Sequence, residues 1–352
     1  MREFVFQTQL PRVVFGAGAL RHLPREVAAL GAVRALVLST PGQAVLAQRA
    51  AQLLGPHAAG IFAEAAMHVP AEVAAAAQDE ARRLGADCAI AIGGGSTTGL
   101  GKAIALASGL PVIAIPTTYA GSEMTTMYGL TDAGAKKTGR DPRVLPRCVI
   151  YDPELSLGLP FSITVVSMLN AIAPAAEGLY ALDANPVIDL MAEAGIRAGA
   201  DALPKLQHDP RDVEARGDAL VAAWLCGTVM GSITVGLHHK LCHTLGGSFG
   251  LPHAETHTVI LPQAMAYNAP AAPEAMQRIA RALGTTSAPG GLFDLAARHG
   301  AATALKDIGM RAEDLDRAAD IATQSPYPNP RPIERGPIRE LLQRAFDGVR
   351  PD

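Results

Sequence analysis

The sequence predicts an α/β domain built on a doubly wound parallel sheet, followed by an all-helical domain. Short continuous apolar runs alternate with helical stretches in the first half, which is typical of a parallel sheet covered on both faces. A turn with three successive glycines joins one of these strands to a helix. Beyond residue 155, alanine- and leucine-rich helical periodicity replaces the strands. We therefore expect an α/β domain over residues 1–155 and a helical domain over residues 156–352.

The first domain alternates strand and helix in a regular order. Its strand-length runs contain only apolar residues and are bounded by turn residues, as buried strands are. Cys148 lies beside a further apolar run of this kind. The predicted strands cover 35–38, 60–63, 88–92 and 112–115, and the predicted helices cover 42–54, 71–84 and 97–108.

The second domain is predicted to contain helices throughout. A stiff connector, PYPNPRP at 326–332, precedes the last of them. The helix over 162–182 carries Asn170, Pro174 and Glu177 at helical spacing. The predicted helices are 162–182, 187–204, 213–247, 274–283, 291–297, 301–308, 312–323 and 335–347.

Composition excludes several classes of protein. The 352 residues are 49% hydrophobic and 18% charged with a net charge of −3, which excludes a disordered chain. Aromatic residues make up 4% and there is no long basic run, so we expect no nucleic-acid partner. The four cysteines form no CxxC pair, and we expect reduced core thiols in a cytoplasmic protein. We also expect no signal peptide and no membrane span.

The turn Gly93-Gly94-Gly95-Ser96 is the strongest local signal. It follows the strand CAIAI and opens a helix. Glycines let backbone N–H groups approach an anion closely, and a helix N-terminus adds positive potential. One glycine would suffice for a turn that binds nothing, so we favour a phosphate-binding loop and hence a dinucleotide-binding domain.

A second polar loop, PTTYAGSE at 116–123, follows the next strand. It brings Thr117, Thr118, Tyr119 and Ser122 to the same sheet edge. The alternative is an ordinary helix cap at Ser122 and Glu123. Two such loops on successive strands favour one shared ligand.

Half of the ten histidines fall within twenty residues. They are His238, His239, His243, His253 and His257. His239 and His243 are one helical turn apart and share a face, and Pro252-His253 returns the chain toward them. No HExxH zinc motif is present. A lone histidine is more often structural, but five together favour a site, with His238 pointing off the shared face.

These motifs together resemble the iron-containing (group III) alcohol dehydrogenase family, with its dehydroquinate synthase-like architecture. The resemblance covers nearly the whole chain and is carried by GGGS, PTTYAGSE and GLHHKLCHTLGGSFGLPH at 236–253. It implies a nicotinamide cofactor and a homodimer, and the strand-forming segment Phe4–Phe15 could pair across such an interface.

The resemblance has departures at the metal positions. In the metal-dependent branch, an aspartate, a histidine one turn later and two further histidines bind iron or zinc. The last two correspond to His239 and His253, but the first two are Asn170 and Pro174. An amide and a proline do not replace these ligands. We therefore expect no metal.

The cofactor site implied by the resemblance differs from its relatives at two places. Gly99 replaces an acidic residue after the glycine loop, and Ser39-Thr40 replaces the acid expected at the adenosine ribose. Without that acid we expect NADH to be used and NADPH to be accepted beside it. The candidate cofactor-binding residues are Ser39, Thr40, Gly93, Gly94, Gly95, Ser96, Thr117, Thr118, Tyr119, Ser122 and Lys136.

Within the family, the motifs GGGSTTGLGKAIAL, KKTGRDPRVLPRCVIYDPEL and NAIAPAAEGLYA look most like the maleylacetate-reducing branch. This implies reduction of 2-maleylacetate to 3-oxoadipate in the degradation of aromatic compounds. His243 and His253 are the expected catalytic donors, supported by His239. For the dicarboxylate substrate, the candidate counter-charges are Lys102, Lys136, Arg140 and Lys240.

Two alternatives remain at this stage. One is a metal-dependent alcohol or aldehyde dehydrogenase of the same family, which Asn170 and Pro174 argue against. The other is a non-catalytic nucleotide-binding protein, which the retained histidines argue against. Turnover with maleylacetate and NADH, compared with a simple alcohol and NAD, distinguishes the three.

Overall fold

A six-stranded parallel sheet organises the first part of the chain. The computed structural model describes residues 3–132 and 135–352, without the side chains of 135 and 136. The chain divides into two units. The sheet unit holds residues 8–159 and 211–220, and the helical unit holds 160–210, 221–352 and the segment that ends at Gln7.

The strands of the sheet are β1 Arg12–Phe15, β2 Ala35–Leu38, β3 Ala58–Phe62, β4 Cys88–Gly93, β5 Val112–Pro116 and β8 Cys148–Tyr151. Their order is β1-β8-β5-β4-β2-β3, with every neighbouring pair parallel. From β2 the chain first moves outward to β3 and then returns to β4 on the other side of β2. The order therefore reverses between β2 and β4, the switch point at which doubly wound sheets bind ligands.

Both faces of this sheet are covered by helices. Successive strand residues point to opposite faces, so Val37 joins one core cluster while Leu36 and Leu38 join the other. The first cluster includes residues of α1 Leu23–Ala29 and α2 Ala44–Leu54, and the second includes residues of α3 Ala71–Arg83 and α4 Gly95–Ser108. The predicted fold class of this part is confirmed.

An antiparallel hairpin that the sequence analysis did not predict follows β5. It consists of β6 Met127–Asp132 and β7 Ala135–Arg140. Its described side chains are only half-buried or exposed, and glycine and charged residues interrupt the apolar pattern, so no strand signal stands out. Lys136 lies in β7, but its side chain is outside the described part of the structure.

The helical unit contains α5 Phe161–Gly178, α6 Pro186–His208, most of α7 Val213–Ser232, α8 Leu237–Phe249, α9 His253–Asn268, α10 Pro273–Leu283, α11 Ala288–Arg298, α12 Leu315–Thr323 and α13 Arg335–Asp347. Three sequence predictions were wrong. The helix expected over 213–247 is two helices, α7 and α8, and α9 was not predicted. Of the helix expected over 301–308, the structure has one 3₁₀ turn, Leu305–Ile308.

Helix α5 is the core helix of this unit. By length and hydropathy it could cross a membrane, but 78% of it is buried inside the protein. It also carries Asn170, Pro174 and Glu177, and the last is fully buried with protein partners. The bent pair α7 and α8 passes the same test only when taken together. Burial in the protein accounts for the apolar composition of α5.

Candidate active site

Three loops meet at the carboxyl edge of the sheet because β2, β4 and β5 are neighbours. They contain Ser39-Thr40, the glycine turn and the 117–122 segment. Gln43 links two of them, since its Nε2 donates to Thr117 Oγ1 over 2.7 Å while Thr40 Oγ1 donates to Gln43 Oε1 over 3.4 Å. Gln43 is not among the predicted site residues, because a glutamine in a helical stretch gives no signal on its own.

The glycine turn is shaped by close approaches of its neighbours. Gly93 has a φ of +156°, and a Cβ there would lie 2.8 Å from Gln43 Oε1. A Cβ on Gly94 would lie 3.0 Å from Thr118 Cγ2. Gly95, the first residue of α4, is different: a Cβ there meets only Ala120 Cβ, at 3.7 Å. The protein itself leaves room at Gly95, so that side of the turn is open to a ligand.

Two buried hydroxyls near this edge have no hydrogen-bond partner in the described structure, Ser39 Oγ and Thr97 Oγ1. Buried polar atoms in native proteins are nearly always satisfied. The two hydroxyls, the open N-terminus of α4 and the switch point together suit a phosphate-bearing dinucleotide. The residues at this edge therefore fit the cofactor that the sequence implies.

Tyr119 does not present its ring to this edge. The side chain is fully buried, and its hydroxyl accepts a hydrogen bond from Arg216 Nη1 over 2.9 Å. Arg216, also fully buried, donates from Nη2 to Leu159 O over 2.9 Å. The Tyr119 side chain therefore anchors its loop. Ser122, at the end of that loop, stays half-buried.

Lys102 is not available as a counter-charge for a substrate. It is 1% exposed, and its Nζ donates to the backbone oxygens of Ser122, Thr125 and Met127 over 2.7 to 2.9 Å. Burial lowers its pKa to about 7, partly opposed by the charge of Glu123. Its role is to hold the chain between the 117–122 loop and β6.

The five histidines between residues 238 and 257 form one contiguous cluster in the helical unit. The ring centroids of His239 and His243 are 6.1 Å apart, and those of His253 and His257 are 4.4 Å apart. His257 joins the two pairs, at 5.1 Å from His239. His243 and His253 are half-buried, whereas the other three are buried. The three predicted catalytic histidines therefore lie together, and two of them, His243 and His253, are partly exposed.

Glu177 is the functional residue that the sequence analysis left without a role. It is 1% exposed on α5, and its oxygens accept from the backbone N–H groups of Gly236 and His238 over 3.2 and 2.8 Å. His239 Nδ1 lies 2.6 Å from Oε2. Burial alone raises the pKa of Glu177, but the charge and hydrogen bond of His239 outweigh it and hold the pKa at about 2. Glu177 is thus an ionised carboxylate that orients His239.

His238 and His257 form a buried pair. His238 Nε2 lies 2.9 Å from His257 Nδ1, and Cys242 Sγ is 3.6 Å from the same His238 nitrogen. Burial lowers the pKa of His238 to about 3, and burial with the neighbouring imidazoles lowers that of His257 well below its usual value. Both rings are therefore neutral at neutral pH.

The family's metal site does not fit this chain. Helix α5 offers Asn170 and Pro174 at the two ligand positions, and the oxygens of Glu177 on the same helix are taken by backbone N–H groups and His239. Among the described residues, the one group of three ligand atoms within 4.8 Å of one another is His238, Cys242 and His257. In this group, His238 Nε2 and His257 Nδ1 are 2.9 Å apart, a hydrogen-bond distance. Two nitrogens bound tetrahedrally to one zinc ion, each about 2.0–2.1 Å from it, would be roughly 3.3 Å apart. The two nitrogens are therefore too close together to be zinc ligands.

The chain matches known proteins over nearly its whole length. The profile described as "Iron-containing alcohol dehydrogenase" matches residues 11–153, and "Fe-containing alcohol dehydrogenase family, C-terminal" matches 164–346. The chain is 66% identical over 351 residues to maleylacetate reductase of Burkholderia cepacia, covering 100% of both.

Solved structures extend the likeness to the fold. The crystal structure of maleylacetate reductase from Agrobacterium tumefaciens has 54% identity and a TM-score of 0.96, with 100% of both chains covered. Sulfoacetaldehyde reductase from Bifidobacterium kashiwanohense, solved in complex with NAD+, has 23% identity and a TM-score of 0.89 over 97% of this chain and 98% of that one. The latter likeness shows a shared fold.

Proposed function

Because this chain belongs to the iron-containing alcohol dehydrogenase family, we propose that it reduces the carbon–carbon double bond of 2-maleylacetate to give 3-oxoadipate. The observation that carries the proposal is the histidine cluster beside an α5 helix that lacks both metal ligands. In the metal-dependent branch of the family, the metal ion acts as the Lewis acid for alcohol oxidation, and this chain lacks two of its ligands. An enolate formed by conjugate reduction is served by hydrogen-bond donors.

The reaction places defined demands on the residues. NADH supplies the hydride when it is bound. The hydride adds to the carbon β to the ketone, so that negative charge develops on the ketone oxygen, and a proton then adds to the α carbon. His243 and His253, the half-buried members of the cluster, donate hydrogen bonds to that oxygen and provide the proton. Glu177 and His239 support them from the buried side.

The cofactor and substrate contacts are assigned from the site geometry. The glycine turn, Ser39 and Thr97 hold the dinucleotide, and without an acid at Ser39-Thr40 the site takes NADPH as well as NADH. Lys240 is half-buried and lies 5.8 Å from the ring centroid of Tyr327. Lys102 is engaged by backbone oxygens, which leaves Lys136, Arg140 and Lys240. We assign Lys240 to one substrate carboxylate because it directly follows His239 of the histidine cluster on α8. We place this activity in a cytoplasmic homodimer.

The test of this function is NADH oxidation by the purified protein with maleylacetate, with and without prior exhaustive chelation. We expect equal turnover in both samples and substoichiometric zinc and iron by elemental analysis. His243→Ala and His253→Ala should each lose about 100-fold in kcat, the usual cost of one oxyanion donor, while binding NADH normally. A chelated enzyme that is inactive and recovers with iron or zinc contradicts the metal-free proposal. Turnover of a simple alcohol with NAD, and none of maleylacetate, contradicts the substrate.

A further inference from the structure

The buried pair His238 and His257 has two outer nitrogens without a partner. His238 Nδ1 and His257 Nε2 are buried and have no hydrogen-bond partner among the described residues. Neither residue is used directly by the proposed reaction, since His238 is 0% exposed and His257 is 1% exposed. Two adjacent imidazoles with an unpaired nitrogen each are unusual in a protein core.

The hydrogen bond between the rings couples their tautomers. A neutral imidazole has one N–H donor and one acceptor nitrogen. If His238 Nε2 carries the proton and donates to His257 Nδ1, then His257 must carry its own proton on Nε2. In the reverse arrangement, His257 Nε2 is an acceptor. The tautomer of His238 is therefore coupled to whether His257 Nε2 is a hydrogen-bond donor or an acceptor.

The far side of His257 adjoins a half-buried histidine of the proposed active site. The ring centroids of His257 and His253 are 4.4 Å apart, closer than the 4.7 Å between His238 and His257, which are hydrogen-bonded. The two rings are therefore in contact, while His257 Nε2 has no hydrogen-bond partner among the described residues, so a hydrogen bond between them requires one of the rings to turn.

We propose that His238, His257 and His253 form a directed hydrogen-bond chain that fixes His253 as an N–H donor to the substrate. His238 Nε2–H donates to His257 Nδ1, and His257 Nε2–H donates to one nitrogen of His253. The proton of His253 then lies on its other nitrogen. This inference rests on the proposed function, since a dianionic substrate that becomes an enolate requires a donor at its oxygen and not a lone pair.

His238 and His257 are positioning residues in this chain. They do not relay protons, because a proton passed from His238 to His253 would leave a buried imidazolate. The group beside its Nε2 is the Cys242 thiol, and burial raises the pKa of that thiol well above its usual value. A metal at His238, Cys242 and His257 is the competing interpretation, and the 2.9 Å hydrogen bond disfavours it.

Two substitutions of His257 test the roles of its two ring nitrogens separately. In His257→Asn the amide occupies the position of Nδ1 and keeps the contact to His238, but nothing reaches His253. In His257→Gln the amide occupies the position of Nε2 and keeps the contact toward His253. We expect His257→Asn to lose about 10- to 100-fold in kcat, as the loss of residues that fix a functional imidazole does, with KM for NADH unchanged. His257→Gln should lose several-fold less.

A second pair tests the role of His238. His238→Gln keeps a donor at the Nε2 position, and His238→Phe has none. We expect His238→Gln to retain most of the activity and His238→Phe to resemble His257→Asn. Equal losses in both His238 variants, or near-normal turnover in His257→Asn, would overturn the chain.

A spectroscopic readout distinguishes failure of this proposal from failure of the proposed function. Long-range proton–nitrogen NMR of the protein with ¹⁵N-labelled histidine reports which ring nitrogen is protonated. We expect His257 to be protonated at Nε2 alone in the wild type and to lose that preference in His238→Phe. A wild type protonated at His257 Nδ1, or one copurifying with stoichiometric zinc on this pair, contradicts the chain whatever the substrate is. Absence of maleylacetate turnover contradicts only the function.

Discussion

Glu177 shows how much a single carboxylate can organise at the scale of a residue. It lies on α5 and accepts one local hydrogen bond, from the Tyr180 hydroxyl over 3.4 Å. Its other partners are the backbone and ring of residues 59 to 62 positions further along the chain. It fixes the first turn of α8 and one nitrogen of His239 at once. Its position seven residues after Asn170 was visible in the sequence. Its role was not, because no local pattern encodes contacts made over such a separation.

Replacement of Glu177 by glutamine should destabilise the protein. The glutamine amide carries no charge, and its NH2 group would face the N–H groups that donate to Glu177 in the wild type. Leaving a buried donor of this kind unpaired costs about 1–3 kcal/mol of folding stability. The pKa of Glu177, about 2, lies below its unfolded value, so its stabilisation is present above pH 4.5 and is lost as the pH falls toward 2. Urea unfolding of wild type and Glu177→Gln should therefore differ at pH 7 and converge in acid.

The control for this experiment is Glu274→Gln. Glu274 is 81% exposed and pairs with Arg278 on α10. Exposed ion pairs contribute little to folding stability, so this variant should have nearly the same free energy of unfolding as the wild type at both pH values. If the free energies of unfolding of wild type and Glu177→Gln differ by the same amount in acid as at pH 7, Glu177 is not an ionised carboxylate with a lowered pKa.

At the scale of the element, the turn from β4 into α4 gives a clean test of cofactor binding. Gly95→Val places its side chain where the protein leaves room, so the fold should survive. The same side chain points toward the ligand side of the turn and should keep the phosphates away from the backbone N–H groups. We expect NADH binding, measured by fluorescence titration, to be lost with a near-normal far-UV spectrum.

Gly336→Val is the matched control, because Gly336 also lies in the first turn of a helix and nothing lies within 4 Å of a Cβ there. It should bind NADH normally. If a folded Gly95→Val does so too, the glycine turn is not the phosphate site.

Predictability from sequence also differs between elements. β4 and β5 are apolar at almost every position and bounded by glycine and proline, so both were predicted to within about a residue. The break between α7 and α8 was missed because Ile233-Thr234-Val235 contains no proline, and a single glycine such as Gly231 or Gly236 also occurs inside helices. Helix α9 was missed because Pro262 lies inside it and it is buried on nearly every side, which removes the amphipathic pattern.

At the scale of the whole molecule, β1 leaves one edge of the sheet without a partner in the described chain. Exposed apolar side chains lie on and before it, namely Phe4, Val5, Leu10 and Phe15. The strand itself is shorter than the segment Phe4–Phe15 that was expected to form it, covering Arg12–Phe15. An open edge flanked by apolar residues suits pairing with a second copy.

The direction of the backbone N–H groups in β1 allows this pairing to be tested. Arg12 N–H and Gly16 N–H donate to Arg147 O and Tyr151 O on the β8 side. By alternation Val14 N–H also faces β8, and Val13 N–H faces the open edge. Val13→Pro should therefore give a monomer by light scattering with nearly normal thermal stability. Val14→Pro should lower the stability of the subunit itself, and a dimeric Val13→Pro would exclude this edge as the interface.

Helix α7 has a consequence for how this protein can be recombined with its relatives. Residues 211–220, which include its first turns, belong to the sheet unit although they follow α6 in the chain. There Arg216 holds the Tyr119 hydroxyl and the carbonyl of Leu159. A chimera made by a single crossover near residue 159, to exchange nucleotide specificity, would therefore take Arg216 from one parent and the Tyr119 loop from the other. A graft of the sheet unit has to carry this second, ten-residue piece with it.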